Sequence, residues 1–193
     1  SNYTSAINRF NTIIQVKPEM LEPYYFRGFC KLRLDDYQGA YADFQRVVEL
    51  NPYFADGYRL RGVIKSLQQD YQDAMEDFAK ALELDPANID IYTSRGYAYT
   101  VMKNYELAVA DFDEALKVNR DFAPAYFSRG YAKMCIDDFD GAIDDFTKGI
   151  KLNPYKPGGY AQRALAYCEK EENLKAIAEM DHTVELDPQN PEL

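Results

Sequence analysis

Proline returns through this chain at a constant interval of 34 residues, at Pro18, Pro52, Pro86, Pro154 and Pro188, and the one missed beat is filled by Arg120. Other residues keep the same time. Gly28, Gly62, Gly96 and Gly130 recur at that interval, as do Ala6, Ala40, Ala74, Ala108, Ala142 and Ala176. Phe10, Phe44, Phe78, Phe112 and Phe146 follow, with Met180 in the sixth place. A fixed period of this length belongs to stacked supersecondary units, each burying its apolar face on its neighbours, rather than to one globular core.

Within a unit the apolar spacing is helical twice. In residues 55–88, Tyr58, Gly62 and the aliphatic stem of Lys65 recur at helical steps, and after Gln69-Asp70 so do Tyr71, Ala74, Phe78, Ala81 and Leu82. Leu84-Asp85-Pro86 then ends the second helix, because proline lacks an amide donor and clashes with the preceding turn. Each unit is expected to be an antiparallel pair, helix A then helix B. Glycine inside helix A costs about 1 kcal/mol relative to alanine. Its recurrence therefore needs a packing reason: helix B crosses there too closely to admit a side chain. The recurrent alanine is the other half of that crossing, and the Phe78-type ring fills the space beside it, each burial contributing roughly 1.5–3 kcal/mol.

Starting each unit at the third residue after proline gives full repeats at 21–54, 55–88, 89–122, 123–156 and 157–190. Residues 1–20 supply the second helix of a truncated repeat, with Tyr3, Ala6, Phe10 and Pro18 in register, and 191–193 form a tail. Numbering slots within the unit, the chain carries an aromatic at slot 4, glycine at 8, tyrosine at 11 or 17, alanine at 20, an aromatic at 24, a small residue at 27 and proline at 32. This resembles the tetratricopeptide repeat (TPR) family over essentially the whole chain. The resemblance implies an all-α fold, a right-handed solenoid of antiparallel helix pairs. The fifth repeat departs most, with Ala164, Asn173, Met180 and Thr183 at the glycine, aromatic, phenylalanine and small slots. That decay is expected at an array end or at an interface with something different, whereas the leading half-repeat is expected to be cut from a longer array.

A second constellation repeats. Slot 7 is Arg27, Arg61, Arg95, Arg129 and Arg163, and slot 23 is Asp43, Asp77, Asp111, Asp145 and Glu179. An arginine fork suits a carboxylate bridge from helix A to helix B. Slot 23 of the half-repeat is Arg9, with which Arg27 cannot pair backwards, so pairing is expected within each repeat, Arg61 with Asp77 for example.

The resemblance also implies that helix A lines a concave surface, chiefly through slots 2, 5, 9, 12 and 13. The candidate groove residues are Tyr25, Arg59, Thr93 and Phe127 at slot 5, Phe29, Val63, Tyr97 and Tyr131 at slot 9, and Glu22, Asp56 and Asp90 at slot 2. The floor is aromatic and apolar, a common trait of recognition surfaces, and three acids run along one edge. The expected partner is a protein or peptide with apolar anchors and some basic residues. The family's carboxylate clamp for chaperone C-termini is excluded: the best three registers offer Tyr25, Phe29, Leu60, Asp90 and Ser94; Arg59, Val63, Ser94, Pro124 and Ser128; or Thr93, Tyr97, Ser128, Gly158 and Gln162.

Other chemistry finds little support. The net charge of -10, with no basic stripe, argues against nucleic acid, whose binding rests on neutralising phosphates. No apolar run is long enough to cross a membrane and no signal peptide is visible, so no membrane role is expected. The lone histidine, His182, sits inside the last helix B beside Asp181 and is read as a surface or packing residue. Asp138-Phe139-Asp140-Gly141 fails as a calcium loop, since Ile136 and Thr147 would occupy its first and twelfth places. The acid pairs Asp35-Asp36 and Asp137-Asp138 fall at the A–B turn, where aspartate caps helix B. No cofactor or metal is expected. Cys30, Cys135 and Cys168 match no ligand pattern and leave one thiol unpaired; a Cys135–Cys168 bridge is an alternative, and a cytoplasmic location is favoured without being fixed. The expected function is a non-enzymatic interaction scaffold. Two alternatives stand beside it: a regulatory or substrate-presenting arm of a larger enzyme, and a self-assembling module.

Overall fold

The structure is a computed structural model that describes residues 2–187. Pro188, the last beat of the proline series, and the 191–193 tail lie outside the described residues. The chain divides into two compact units, residues 1–94 and 95–193. Unit one holds α1 (Asn2–Val16), α2 (Leu21–Leu32), α3 (Tyr37–Leu50), α4 (Ala55–Leu67), α5 (Tyr71–Leu84) and the first residues of α6 (Ile89–Val101). Unit two holds the rest of α6, then α7 (Tyr105–Val118), α8 (Ala123–Met134), α9 (Phe139–Leu152), α10 (Pro157–Glu169) and α11 (Asn173–Leu186). No strand occurs among the described residues. In all five repeats helix A begins at slot 1 and helix B runs over slots 17–30, so the period read from proline is the period of the helices.

The turns explain the spacing. Slot 15 is left-handed in every repeat, at Asp35, Gln69, Lys103, Asp137 and Glu171, with φ of 58, 66, 59, 61 and 60°. The following Asp36 and Asp138 cap helix B, accepting from Gly39 N at 2.9 Å and Gly141 N at 3.0 Å. Of each acid pair, then, only the second residue caps; the first makes the turn. After helix B, slot 31 leaves the helical region, Asn51 at φ -139° and Asp85 at φ -142°, as a residue before proline prefers. Asn119 adopts the same φ of -139° in front of Arg120, so the missing proline changes no geometry. The slot-4 tyrosine then clasps the loop: Tyr24, Tyr92, Tyr126 and Tyr160 donate to the carbonyls of Pro18, Pro86, Arg120 and Pro154 at 3.1–3.2 Å.

Each unit has a core built on fully buried rings, Phe44 and Phe78 in unit one, Phe112 and Phe146 in unit two. These rings correct the expected reason for the helix-A glycines. A Cβ on Gly28, Gly96 or Gly130 would stand 2.8, 2.9 or 2.7 Å from the ring of Phe44, Phe112 or Phe146. At Gly62 helix-B backbone stands as near as the ring, the Ala74 carbonyl at 3.2 Å beside Phe78. The phenylalanine occupies the glycine's missing side chain rather than lying beside the crossing.

Every arginine of the ladder pairs within its own repeat, as expected. Arg61 Nε meets Asp77 at 2.8 Å, Arg95 reaches Asp111 at 2.8 and 2.6 Å, and Arg27 and Arg129 grip Asp43 and Asp145 in the same two-pronged way. The pairs also join repeats. Nη1 of Arg27, Arg61, Arg129 and Arg163 donates back to slot 25 of the preceding helix B, at Asn11, Gln45, Asp113 and Thr147. Lys31, Lys65 and Lys133 at slot 11 add a second cation to Asp43, Asp77 and Asp145 at 2.8–3.0 Å. Repeat five deviates: Arg163 Nη2 takes both oxygens of the longer Glu179, and Arg163 Nε is left buried without a partner among the described residues.

Candidate functional site

The helix-A faces of unit one are largely self-satisfied. Tyr25 stands edge-on to Phe29, Phe44 and Phe54 with ring centroids 5.0, 6.3 and 5.4 Å away. Its hydroxyl donates to Asp56 at 2.5 Å, and burial together with that bond pushes its phenol well above its ordinary pKa. Asp56 also binds Arg59 Nε, and Arg59 Nη1 extends the chain of contacts to Ser94 Oγ at 3.3 Å. Asp56 is therefore spent inside the protein. Of the expected acidic edge, Glu22 and Asp90 remain exposed. Phe29 packs on Phe44 at 5.8 Å, and Val63 is half-buried. Thr93 is buried, its hydroxyl turned back to the carbonyls of Ile89 at 3.0 Å and Asp90 at 3.2 Å, so it offers a ligand nothing. Tyr25, Arg59, Asp56 and Phe29 thus form an internal network rather than an open row.

Unit two is different. Here α6, α8 and α10 bound a cleft of about 350 Å³. Tyr97 and Tyr131, both slot-9 residues, line it and stay 47% and 40% exposed. Tyr97 is steadied by an edge contact to Phe112 at 5.5 Å and by Ser128, whose hydroxyl donates to the Tyr97 hydroxyl at 3.0 Å. The Tyr131 hydroxyl faces Cys135, and that hydrogen bond raises the phenol's pKa. Phe127, expected as an exposed groove residue, is 4% exposed and belongs to the core with Phe146, Ile150 and Tyr160. Glycines make the difference. A Cβ at Gly149 would stand 2.8 Å from the Phe127 ring, and one at Gly159 2.6 Å, so the ring sinks into the space both leave and forms only the cleft's floor. Lys156 lies over that ring, Nζ 4.4 Å from its centroid.

Gly158 and Gln162 complete the lining from α10. A Cβ built on Gly158 meets nothing within 4 Å, so the cleft is open at that point. Lys156, Gly158 and Gln162 were not among the residues chosen from sequence. Their signal was the run Lys156-Pro157-Gly158-Gly159, which puts a cation where the other repeats have Met20, Phe54, Asn88 and Phe122, and glycine where the first three carry Glu22, Asp56 and Asp90.

Elsewhere, His182 stacks edge-on to Tyr160 at 4.5 Å and lies 3.2 Å from Glu185, a packing position. All three cysteines are free thiols. Among the described residues no group of three His, Cys, Asp or Glu side chains converges as a metal site, and no helix is long and apolar enough to cross a membrane. On α11, Leu174, Ile177 and Val184 are exposed, while Val48, Leu116 and Ile150, the counterparts of Val184, are buried.

Comparison with known families and structures places this geometry. Models described as "Tetratricopeptide repeat" match residues 21–54, 89–122 and 123–156, and one described as "TPR repeat" matches 66–102. No curated protein matches. Among solved structures the chain is similar to YrrB, described as a TPR protein with an unusual peptide-binding site, at 22% identity over 94% of this chain and 93% of that one, TM-score 0.71. It is also similar to MamA from Desulfovibrio magneticus RS-1, at 19% identity over 89% and 97%, TM-score 0.78. A third is pilF of Pseudomonas aeruginosa, at 20% identity over 98% and 80%, TM-score 0.77. At these identities the likeness speaks for the fold alone.

Proposed function

The chain belongs to the tetratricopeptide repeat family, and from that premise we propose that it is a non-enzymatic module holding a segment of another polypeptide against its first-helix faces. The cleft between Tyr97, Phe127 and Tyr131 is the anchoring pocket. The observation that carries this reading is the exposure of Tyr97 and Tyr131, 47% and 40%, above a buried aromatic floor. Tyrosine gives a large contact area for little conformational entropy, and a concave apolar site with a few polar groups is the usual form of a binding pocket. The peptide-binding site attributed to the similar YrrB supports the class of ligand. In unit one the exposed Glu22 and Asp90 favour basic residues in whatever lies against them.

Gly158 supplies the test. Because a side chain there meets open space, Gly158→Phe fills the cleft without disturbing the core. Affinity capture from a lysate of the source organism, read by mass spectrometry, compares wild type with Gly158→Phe and with Tyr97→Ala/Tyr131→Ala, each first shown to keep its helicity. A polypeptide retained by wild type and lost by both variants is the expected result. Equal retention by all three moves the working surface away from the cleft.

A further inference from the structure

We propose that this cleft selects a segment in which an acidic side chain stands next to an apolar one, with Lys156 as the counter-ion; the inference rests on the peptide-binding reading above. The cleft's polar groups are one-sided. Lys156 is the only formally charged residue lining it, and none of its lining residues is an acid. The amine rests on the Phe127 ring, and among the described residues no carboxylate pairs with it. Ser128 and Tyr97 share one hydroxyl–hydroxyl hydrogen bond, so one proton of the pair is left to point at a ligand. Gln162 also lines the cleft and brings amide donors to it. A cation and two donor groups around an apolar floor complement a carboxylate adjoining a side chain that fills the floor, and they reject a second cation.

The acid is a side chain rather than a chain terminus. The positions from which a terminal-carboxylate clamp would act in this region hold Tyr97, Ser128, Gly158 and Gln162, none of them cationic. A single amine at the rim suits one side-chain carboxylate. This preference is opposite to that of unit one, where the exposed groups at slot 2 are Glu22 and Asp90.

Fluorescence anisotropy on the full chain tests this with pools of labelled nonapeptides, each with a central mixture of Leu, Phe and Tyr. Three pools have blocked ends and carry Glu, Gln or Lys beside the centre; a fourth carries Gln and a free C-terminus. The expected result is a Glu pool bound roughly five- to tenfold tighter than the Gln pool, a margin that shrinks in about 0.5 M salt. Lys156→Met removes the margin, and Lys156→Glu makes the Lys pool the tightest; Lys156 is itself exposed, so neither change removes a buried side chain. Equal binding of Glu and Gln pools, or a wild-type preference for Lys, overturns the acidic selectivity while sensitivity to Gly158→Phe leaves the cleft as a peptide site. A free-ended Gln pool that matches the blocked Glu pool overturns the choice of a side-chain acid. Failure of every pool to bind, or binding indifferent to Gly158→Phe, overturns the cleft reading and the selectivity with it.

Discussion

Replacing Gly130 by alanine separates two accounts of the helix-A glycines. If glycine is merely tolerated there, alanine should stabilise the helix by about 1 kcal/mol, the propensity difference between the two residues. The structure predicts the opposite sign. The new methyl would stand 2.7, 2.9 and 3.1 Å from Cε1, Cδ1 and Cζ of Phe146, a ring with no exposed surface and no room to retreat. Overpacking of that kind costs about 1–3 kcal/mol, and three contacts this short put the cost near the upper end. Net of the propensity gain, the variant should be about 2 kcal/mol less stable, seen in urea as a midpoint lowered by roughly 1 M. Gly158→Ala is the internal control, because its methyl meets open space and its midpoint should stay level or rise. The double variant Gly130→Ala/Phe146→Leu should lose less than the sum of its parts, by about 1 kcal/mol, since the smaller side chain yields the contested volume. A raised midpoint for Gly130→Ala, or strict additivity in the cycle, would refute the steric account.

Three other changes follow from the same repeats. Glu179→Asp should bring the carboxylate back to the geometry of Asp77 and Asp145, give Arg163 Nε its partner and raise stability by about 1 kcal/mol in urea; no gain means that nitrogen is already satisfied. Gln69→Gly should raise stability in urea by roughly 0.5–1 kcal/mol, because Gln69 sits at φ 66° where side chains are strained; a loss would mean its side chain makes an unrecognised contact. Asp111 lacks the slot-11 lysine, Tyr99 standing in its place, and burial pushes its carboxyl above the usual range against the pull of Arg95. Its folded form therefore holds a proton more tightly than the unfolded chain, and this stabilising share is lost as pH rises through the folded pKa. Carbon-13 NMR of the Asp111 carboxyl should show a midpoint above 3.8 that falls in Tyr99→Lys; an ordinary midpoint in wild type contradicts the burial argument.

Much of the fold was legible because its determinants are short-range and repeated. Proline phase gave the period that the helices keep, and the mismatch at Arg9 was enough to assign the arginine pairs to their own repeats. The slot-4 tyrosine clasp and the slot-25 partners were not read from the sequence. The slot-4 tyrosine repeats, but its acceptor is a backbone carbonyl that no residue identity marks; the slot-25 partners vary in type, Asn11, Gln45, Asp113 and Thr147, so no identity repeats to betray them. The site was less legible. Slot number says which side of helix A a residue occupies, not whether its neighbours leave it room. Phe127 sank because Gly149 and Gly159, on two other helices, opened a socket for it, and Asp56 was neutralised by Tyr25 and Arg59 from different repeats. Lys156 lies in a loop outside the helix-A pattern altogether and reaches the cleft only through the fold.

The most direct measurement is a chemical-shift map of isotope-labelled protein titrated with the blocked Glu peptide pool. The account predicts shifts gathered at Tyr97, Ser128, Tyr131, Lys156, Gly158 and Gln162, and their loss in Gly158→Phe. Shifts gathered instead on the exposed Leu174, Ile177 and Val184 of α11, or a map unaltered by Gly158→Phe, would contradict it.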